Sequence, residues 1–190
     1  RLAALKEYNI LNSGPDEDYD NLTFLAAAVC EVPVAQISII DKNRIWTKSI
    51  YGLKVSDLER ANSICDQVIH QEEPFISLNK SDNPEIFSKT KEKYGLDFEF
   101  YAGVPLHNPQ GHAIATFCVF DTKERHLTAQ QIKALKALAR QTMNLFEFRK
   151  QKNKLYEVQK QLKQKYKELE RFASLVSHDL KSPLANIISL

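Results

Sequence analysis

The spacing of apolar and polar residues changes period several times along the chain. After Pro15 and the acidic run Asp16-Glu17-Asp18, the residues Leu22, Leu25, Ala26 and Val29 recur at i, i+3, i+4 and i+7. That spacing predicts a helix with this stripe buried and its acidic end at the positive pole of the helix dipole. Arg1 to Leu5 reads as an earlier helix, and Pro33 ends the second. From Val34 to Asp41 the period falls to two, with Ala35, Ile37 and Ile39 on one face of a strand and Val34, Gln36, Ser38 and Ile40 on the other. A turn at Asp41-Lys42-Asn43 leads into a second strand, Arg44 to Ile50, closed by Gly52. Asn62 to Gln71 reads as a short helix and Pro74 to Leu78 as a short strand, and the polar run from Asn79 to Asp97 as small helices and loops. Phe100 to Leu106 and His112 to Asp121 are the clearest strands, joined by the turn Asn108-Pro109-Gln110-Gly111. Ala113 to Phe120 is apolar on both faces, which predicts a central place in the sheet.

From Thr128 the pattern is helical to the end. Thr128 and Gln131 form a capping-box pair, and no Gly or Pro follows until Pro183. Such a helix, at 1.5 Å per residue, extends about 80 Å, too long for one compact domain. Phe148, Leu155, Leu162, Leu169 and Val176 stand seven apart, while the positions three residues on (Gln151, Val158, Lys165, Phe172, Asp179) are mixed. One narrow apolar stripe predicts a coiled coil, most simply a parallel homodimer. The order of elements predicts an α+β fold: a central antiparallel sheet with helices on one side over residues 1–148, then one long C-terminal helix.

Composition narrows the class. At 43% apolar and 26% charged residues the chain is an ordinary globular protein, and no apolar run reaches the roughly 20 residues a bilayer requires. Three scattered cysteines, Cys30, Cys65 and Cys118, argue against a disulfide framework and for a reducing, cytoplasmic setting. A parent protein can still reach a membrane through segments outside this chain. Residues 149–171 hold nine Lys or Arg against three Glu, a local excess of six positive charges within a net charge of +2. The stretch lacks aromatic interleaving and reads as a solvated helix face, with no nucleic-acid partner expected. His107, His112 and His126 lack metal-ligand spacing, so no metal site is expected.

Chemistry concentrates near the C-terminal end. If Val176 lies in the seam, His178 stands about 200° further round the helix, clear of the core. Asp179 beside it can fix the tautomer of an imidazole and leave the other nitrogen free as a nucleophile. The run Ser177-His178-Asp179-Leu180-Lys181-Ser182-Pro183-Leu184 resembles the H box of sensor histidine kinases, commonly S-H-E-L-R-T-P-L. Phe172 upstream also fits, and the run follows a coiled coil as that family's dimerisation helix does. The resemblance implies that His178 attacks the γ-phosphate of ATP, and that Asp179 orients the ring and takes its proton. It implies that Lys181 holds phosphate or a carboxylate partner, and that Pro183 bends the helix. Ser182 replaces the family's Thr or Asn, a departure that bears on phosphatase activity. The ATP and Mg of such a kinase belong to a domain this chain does not include, so the fragment is expected to be inactive alone. A response-regulator receiver domain is the expected phosphate acceptor.

The N-terminal part resembles a bacterial GAF domain. The residues concerned run from Arg1-Leu2-Ala3-Ala4-Leu5 and Asp20-Asn21-Leu22 through Ile39-Ile40-Asp41 and Trp46-Thr47-Lys48-Ser49 to Phe100-Tyr101-Ala102-Gly103-Val104-Pro105-Leu106 and Phe117-Cys118-Val119-Phe120-Asp121. The resemblance implies a sheet of about six strands, terminal helices on one face and a small-molecule pocket on the other. Gln36, Ser38, Trp46, Cys65 and Tyr101 are the candidate pocket residues; Gln36 and Ser38 can equally face solvent. The signal itself is unknown. Asn79-Lys80, Phe87 and Lys91-Glu92 match the cyclic-nucleotide motif of this family only in part, with Lys in its Asp position. Cys65, with His70 a helical turn beyond, only partly matches a bilin attachment site. Three segments are therefore expected: a GAF-like sensor at 1–148, a coiled-coil linker at 149–171 and a truncated phosphoacceptor helix at 172–190. The alternative is a ligand-binding or dimerising GAF scaffold without a kinase role.

Overall fold

The computed structural model describes residues 1–188 except 56, 62 and 72; the side chains of residue 94 and residues 178–188 are outside the description. The chain divides into two units, Arg1–Phe148 and Arg149–Leu190. The first contains a six-stranded sheet in the order β3-β2-β1-β6-β5-β4, antiparallel throughout. Its strands are β1 (Val34–Ile40), β2 (Arg44–Tyr51), β3 (Leu58–Glu59), β4 (Ile76–Asn79), β5 (Phe100–His107) and β6 (Ala113–Asp121). The helices are α1 (Leu2–Glu7), α2 (Glu17–Cys30), α3 (Ile64–Val68), α4 (Pro84–Tyr94) and α5 (Ala129–Ile188).

β6 is buried along its whole length and pairs with β1 and β5, the central place its two apolar faces predict. Its alternation divides the core. Ala115, Phe117 and Val119 face a layer made by α1, α2 and the start of α5, together with Ala35, Ile37 and Ile39 of β1. Cys118 and Phe120 face the other way, toward α3 and α4. Helices therefore cover both faces, not one. The short polar-flanked helices α3 and α4 carry enough apolar residues (Ile64, Val68, Ile86, Phe87) to close the second face. Each such side chain, fully buried, contributes about 1.5–3 kcal/mol.

α2 buries only part of the stripe its spacing predicts, Ala26 fully and Leu22 in part, and is rotated from the rest. Tyr19, Thr23, Ala26, Ala27 and Cys30 face the sheet, while Leu25 and Val29 are exposed. Partners decide the matter. The Tyr19 ring lies 5.5 Å from that of Phe146 on α5, and Thr23 Oγ1 shares a 2.9 Å hydrogen bond with Ser49 Oγ, which donates to Asp20 Oδ1 at 2.6 Å. α1 is tied to the same layer by the Tyr8 hydroxyl, which donates to Glu147. The capping box at the start of α5 forms as expected. Gln131 N–H donates to Thr128 Oγ1 at 3.2 Å, and Thr128 N–H donates back to Gln131 Oε1 at 3.0 Å.

In the second unit, Leu155, Leu162 and Leu169 are 59%, 62% and 61% exposed. The bend expected at Pro183 lies outside the described residues. Among the described residues no helix is long and apolar enough to cross a membrane.

Candidate functional site

The pocket side of the sheet is built by strand parity. Gln36 lies opposite Cys118, and Ser38 opposite Thr116; on the other flank of β6, Gly103 pairs with Cys118. Small and polar residues are thus gathered at the middle of an otherwise apolar sheet. Above them is a partly open cavity with about 40 Å³ of free volume, room for about three waters. Its walls come from β1 and β2 (Val34, Ile45), the segment after β2 (Leu53, Val55, Leu58), α3 (Ile64, Cys65), and Leu96 and Phe98. Its polar groups are Gln36, Ser38, Ser63, Cys65 and Thr90. An apolar wall with a few convergent hydrogen-bonding groups suits a small, mostly apolar molecule with one polar end.

The five expected pocket residues separate. Gln36, Ser38 and Cys65 line the cavity, so Gln36 and Ser38 do not face solvent. Gln36 Nε2 donates to Thr47 Oγ1 at 2.8 Å, which holds its amide in place. Tyr101 belongs to the same face but is entirely buried below the cavity, with its hydroxyl 4.0 Å from Cys65 Sγ. Trp46 is on the opposite face, packed against the helix-layer core and bordering a cleft with Ser13, Gly14 and Pro15. The reason is register. Trp46 pairs with Ile39, and the irregularity between Ile37 and Ser38 inserts Lys48 into β2, which breaks that strand's simple alternation.

Sequence reasoning missed Ser63, Thr90, Thr116 and, above all, the pairing of Cys65 with Cys118. The two sulfurs are 4.0 Å apart and both are buried. Parity gave a signal for Cys118, which has the same phase on β6 as Gln36 on β1. Nothing in the spacing placed α3 above it. The partial cyclic-nucleotide motif has structural uses instead. Lys80 and Lys91 both pair with Asp97, at 3.3 and 2.7 Å, and the Asn79 side chain bonds the backbone of Arg125 at 3.1 Å in each direction. His70 is exposed, with Nδ1 on the carbonyl of Asp66 at 2.8 Å. His178, Asp179, Lys181, Ser182 and Pro183 have side chains outside the described residues.

Tyr101 can occupy its place only because residue 103 lacks a side chain. A Cβ at Gly103 would stand 2.3 Å from the Tyr101 hydroxyl oxygen and 2.8 Å from Cζ. Gly103→Ala is therefore expected to displace the ring from Cys65 at a cost of about 1–3 kcal/mol, as overpacking does. Urea denaturation followed by near-ultraviolet circular dichroism measures both effects; an unchanged midpoint and tyrosine signal would refute the packing described.

A six-stranded antiparallel sheet with terminal helices on one face and a cavity under short helices on the other defines a class of sensory domain. Residues 11–145 match the family described as the GAF domain, and the chain belongs to that family. A cyclic di-GMP phosphodiesterase of Pseudomonas aeruginosa is 27% identical over 144 residues, which are 75% of this chain and 24% of that protein. The chain thus spans about a quarter of that relative's length. Among solved structures, the GAF domain of an Acinetobacter phosphoenolpyruvate-protein phosphotransferase aligns with a TM-score of 0.58 at 19% identity, covering 77% of this chain and 92% of that one. The GAF domain of a two-component sensor histidine kinase from Bacillus halodurans aligns with a TM-score of 0.56 at 11% identity, covering 76% and 98%. GAF domains of this fold therefore occur in proteins named for quite different activities, a histidine kinase among them.

Proposed function

We propose that the chain is the sensory and phosphoacceptor part of a two-component sensor histidine kinase acting in the cytoplasm. The observation that carries this reading is the run Ser177 to Leu184, an H-box-like sequence on the same helix, α5, whose first turns pack on the GAF sheet. The cavity takes a small molecule. The exposed heptad stripe of Leu155, Leu162 and Leu169 pairs with a second copy in a parallel coiled coil. His178 accepts a phosphoryl group from ATP held with Mg by a separate catalytic domain, and passes it to an aspartate of a response-regulator receiver domain. Asp179 orients the imidazole and takes its proton. Lys181, Ser182 and Pro183 complete the H box. Three free cysteines support a reducing compartment.

The test supplies what the chain lacks. The chain, extended by the second dimerisation helix, is incubated with a separately purified histidine-kinase catalytic domain and γ-labelled ATP. Label that survives alkali and is lost in acid is the expected result. A chain that dimerises but never takes up label would leave the scaffold reading in its place.

A further inference from the structure

We propose that Cys65 and Cys118 form a peroxide-reactive dithiol in the floor of the GAF cavity, with Cys65 as the attacking sulfur and Cys118 as the resolving one. The inference does not depend on the phosphoacceptor reading.

Position assigns the two roles. Cys65 lines the cavity and is 6% exposed; Cys118 lies behind it, 0% exposed, on the central strand. A molecule as small as hydrogen peroxide fits a cavity with room for water, and the first sulfur it meets is that of Cys65. Around this sulfur stand groups that favour its anion. The Ser38 hydroxyl is 3.8 Å away, and the Tyr101 hydroxyl and the Cys118 thiol are each at 4.0 Å. Among the described residues Thr116 Oγ1 is buried without a hydrogen-bond partner, and it is one of the groups that favour the Cys65 anion. These neighbours, the Cys118 thiol first, hold the Cys65 thiol below its ordinary range despite burial. While Cys65 is protonated its thiol donates to Ser38 and the Cys118 thiol donates to the Gln36 carbonyl at 3.5 Å, and both can turn to Cys65 once it ionises. Cys118 moves the other way, raised by burial and by its neighbour. The third cysteine is the contrast. Cys30 lies in the apolar helix layer, where burial pushes its thiol up to about 11. Only the thiolate attacks peroxide, so the site gives Cys65 the first step and leaves Cys118 for the second.

The chemistry balances. Cys65 sulfur attacks one peroxide oxygen; the S–O bond forms as the O–O bond breaks, and the thiol proton leaves with the second oxygen as water. Cys118 sulfur then attacks the sulfenic sulfur of Cys65. The S–S bond forms, the S–O bond breaks, and the Cys118 proton leaves with that oxygen as a second water. Closing from 4.0 Å to a bond of about 2.05 Å draws α3 toward the sheet. Ile64 and Cys65 are a wall of the cavity, so oxidation makes the ligand space smaller.

The experiment uses the whole chain, reduced and then titrated with hydrogen peroxide, quenched with an alkylating agent under denaturing conditions and read by intact and peptide mass spectrometry. Two of the three thiols should vanish together, with the mass lower by two hydrogens, a peptide joining residues 65 and 118, Cys30 still alkylated, and full recovery with dithiothreitol. Cys118→Ala should stop at a single added oxygen on Cys65 that dimedone captures. Cys65→Ala should leave Cys118 reduced. The wild-type map stands whether or not these variants fold. Oxidation confined to Cys30, disulfides only between chains, or retention of both thiols at a peroxide excess that oxidises the guanidinium-unfolded chain would each overturn the proposal.

Discussion

Exchanging His178 for Gln is expected to abolish the acid-labile phosphate that, on the proposed function, a supplied catalytic domain places on the chain. Glutamine retains an amide of similar reach but has no ring nitrogen with a free lone pair, and an amide does not attack phosphorus at neutral pH. The loss should be complete, to the background of the assay, while the proposed coiled-coil dimer persists, because position 178 stands about 200° from Val176, the position assigned to its seam. Asp179→Asn gives a graded comparison. An amide can still hold the ring but takes its proton poorly, so labelling should slow by about 10²–10⁴-fold without vanishing, the usual value of a general base. Quantified label per chain at short times separates the two. Full labelling of His178→Gln would place the phosphate on another residue and leave the H box without a role.

Much of this was legible because burial on two faces imposes period two. In β1 the residues Val34 to Ile40 divided into the two faces that the structure uses, and the continuous apolar run of β6 marked its central place. The start of α5 was equally plain, since Thr128 and Gln131 satisfy each other's backbone regardless of tertiary context. α2 was not. It carries two apolar stripes, and hydrophobicity alone favoured Leu25 and Val29. The buried stripe was chosen by Phe146, more than a hundred residues away, and by the hydroxyl chain from Thr23 to Ser49. β3 has two residues, too few for any periodicity. The site shows the same division. That Gln36 and Ser38 share a face was readable from β1, though not whether it meets a cavity or solvent, whereas Trp46 was misplaced because Lys48 interrupts the alternation of β2. The approach of Cys65 to Cys118 depends on where a five-residue helix lands, which no local pattern encodes.

Gly52→Ala should be among the most destabilising single substitutions in the GAF unit, costing about 3–5 kcal/mol, the upper range for point changes. Gly52 ends β2 with φ +81°, a conformation that strains a side-chain-bearing residue. Steric contact costs more than this conformational strain. A Cβ there would stand 1.8 Å from the carbonyl oxygen of Pro33 and 2.9 Å from its carbon. These are backbone atoms, so no rotamer change relieves the clash. The neighbouring residues are fixed as well: Tyr51 pairs with Ala35, and Val34 pairs with Phe120 of the central strand. Retreat of Pro33 would therefore disrupt the start of β1, which supplies Val34 and Gln36 to the cavity. Gly14→Ala is the control, because nothing lies within 4 Å of its Cβ position and its φ is unexceptional; it should shift stability by less than about 1 kcal/mol. Against a total of about 5–15 kcal/mol for a domain, the difference between the two variants is large. Urea unfolding measured by far-ultraviolet circular dichroism resolves it. Equal midpoints for the two would mean that β2 leaves the sheet by a wider path than the one at Pro33.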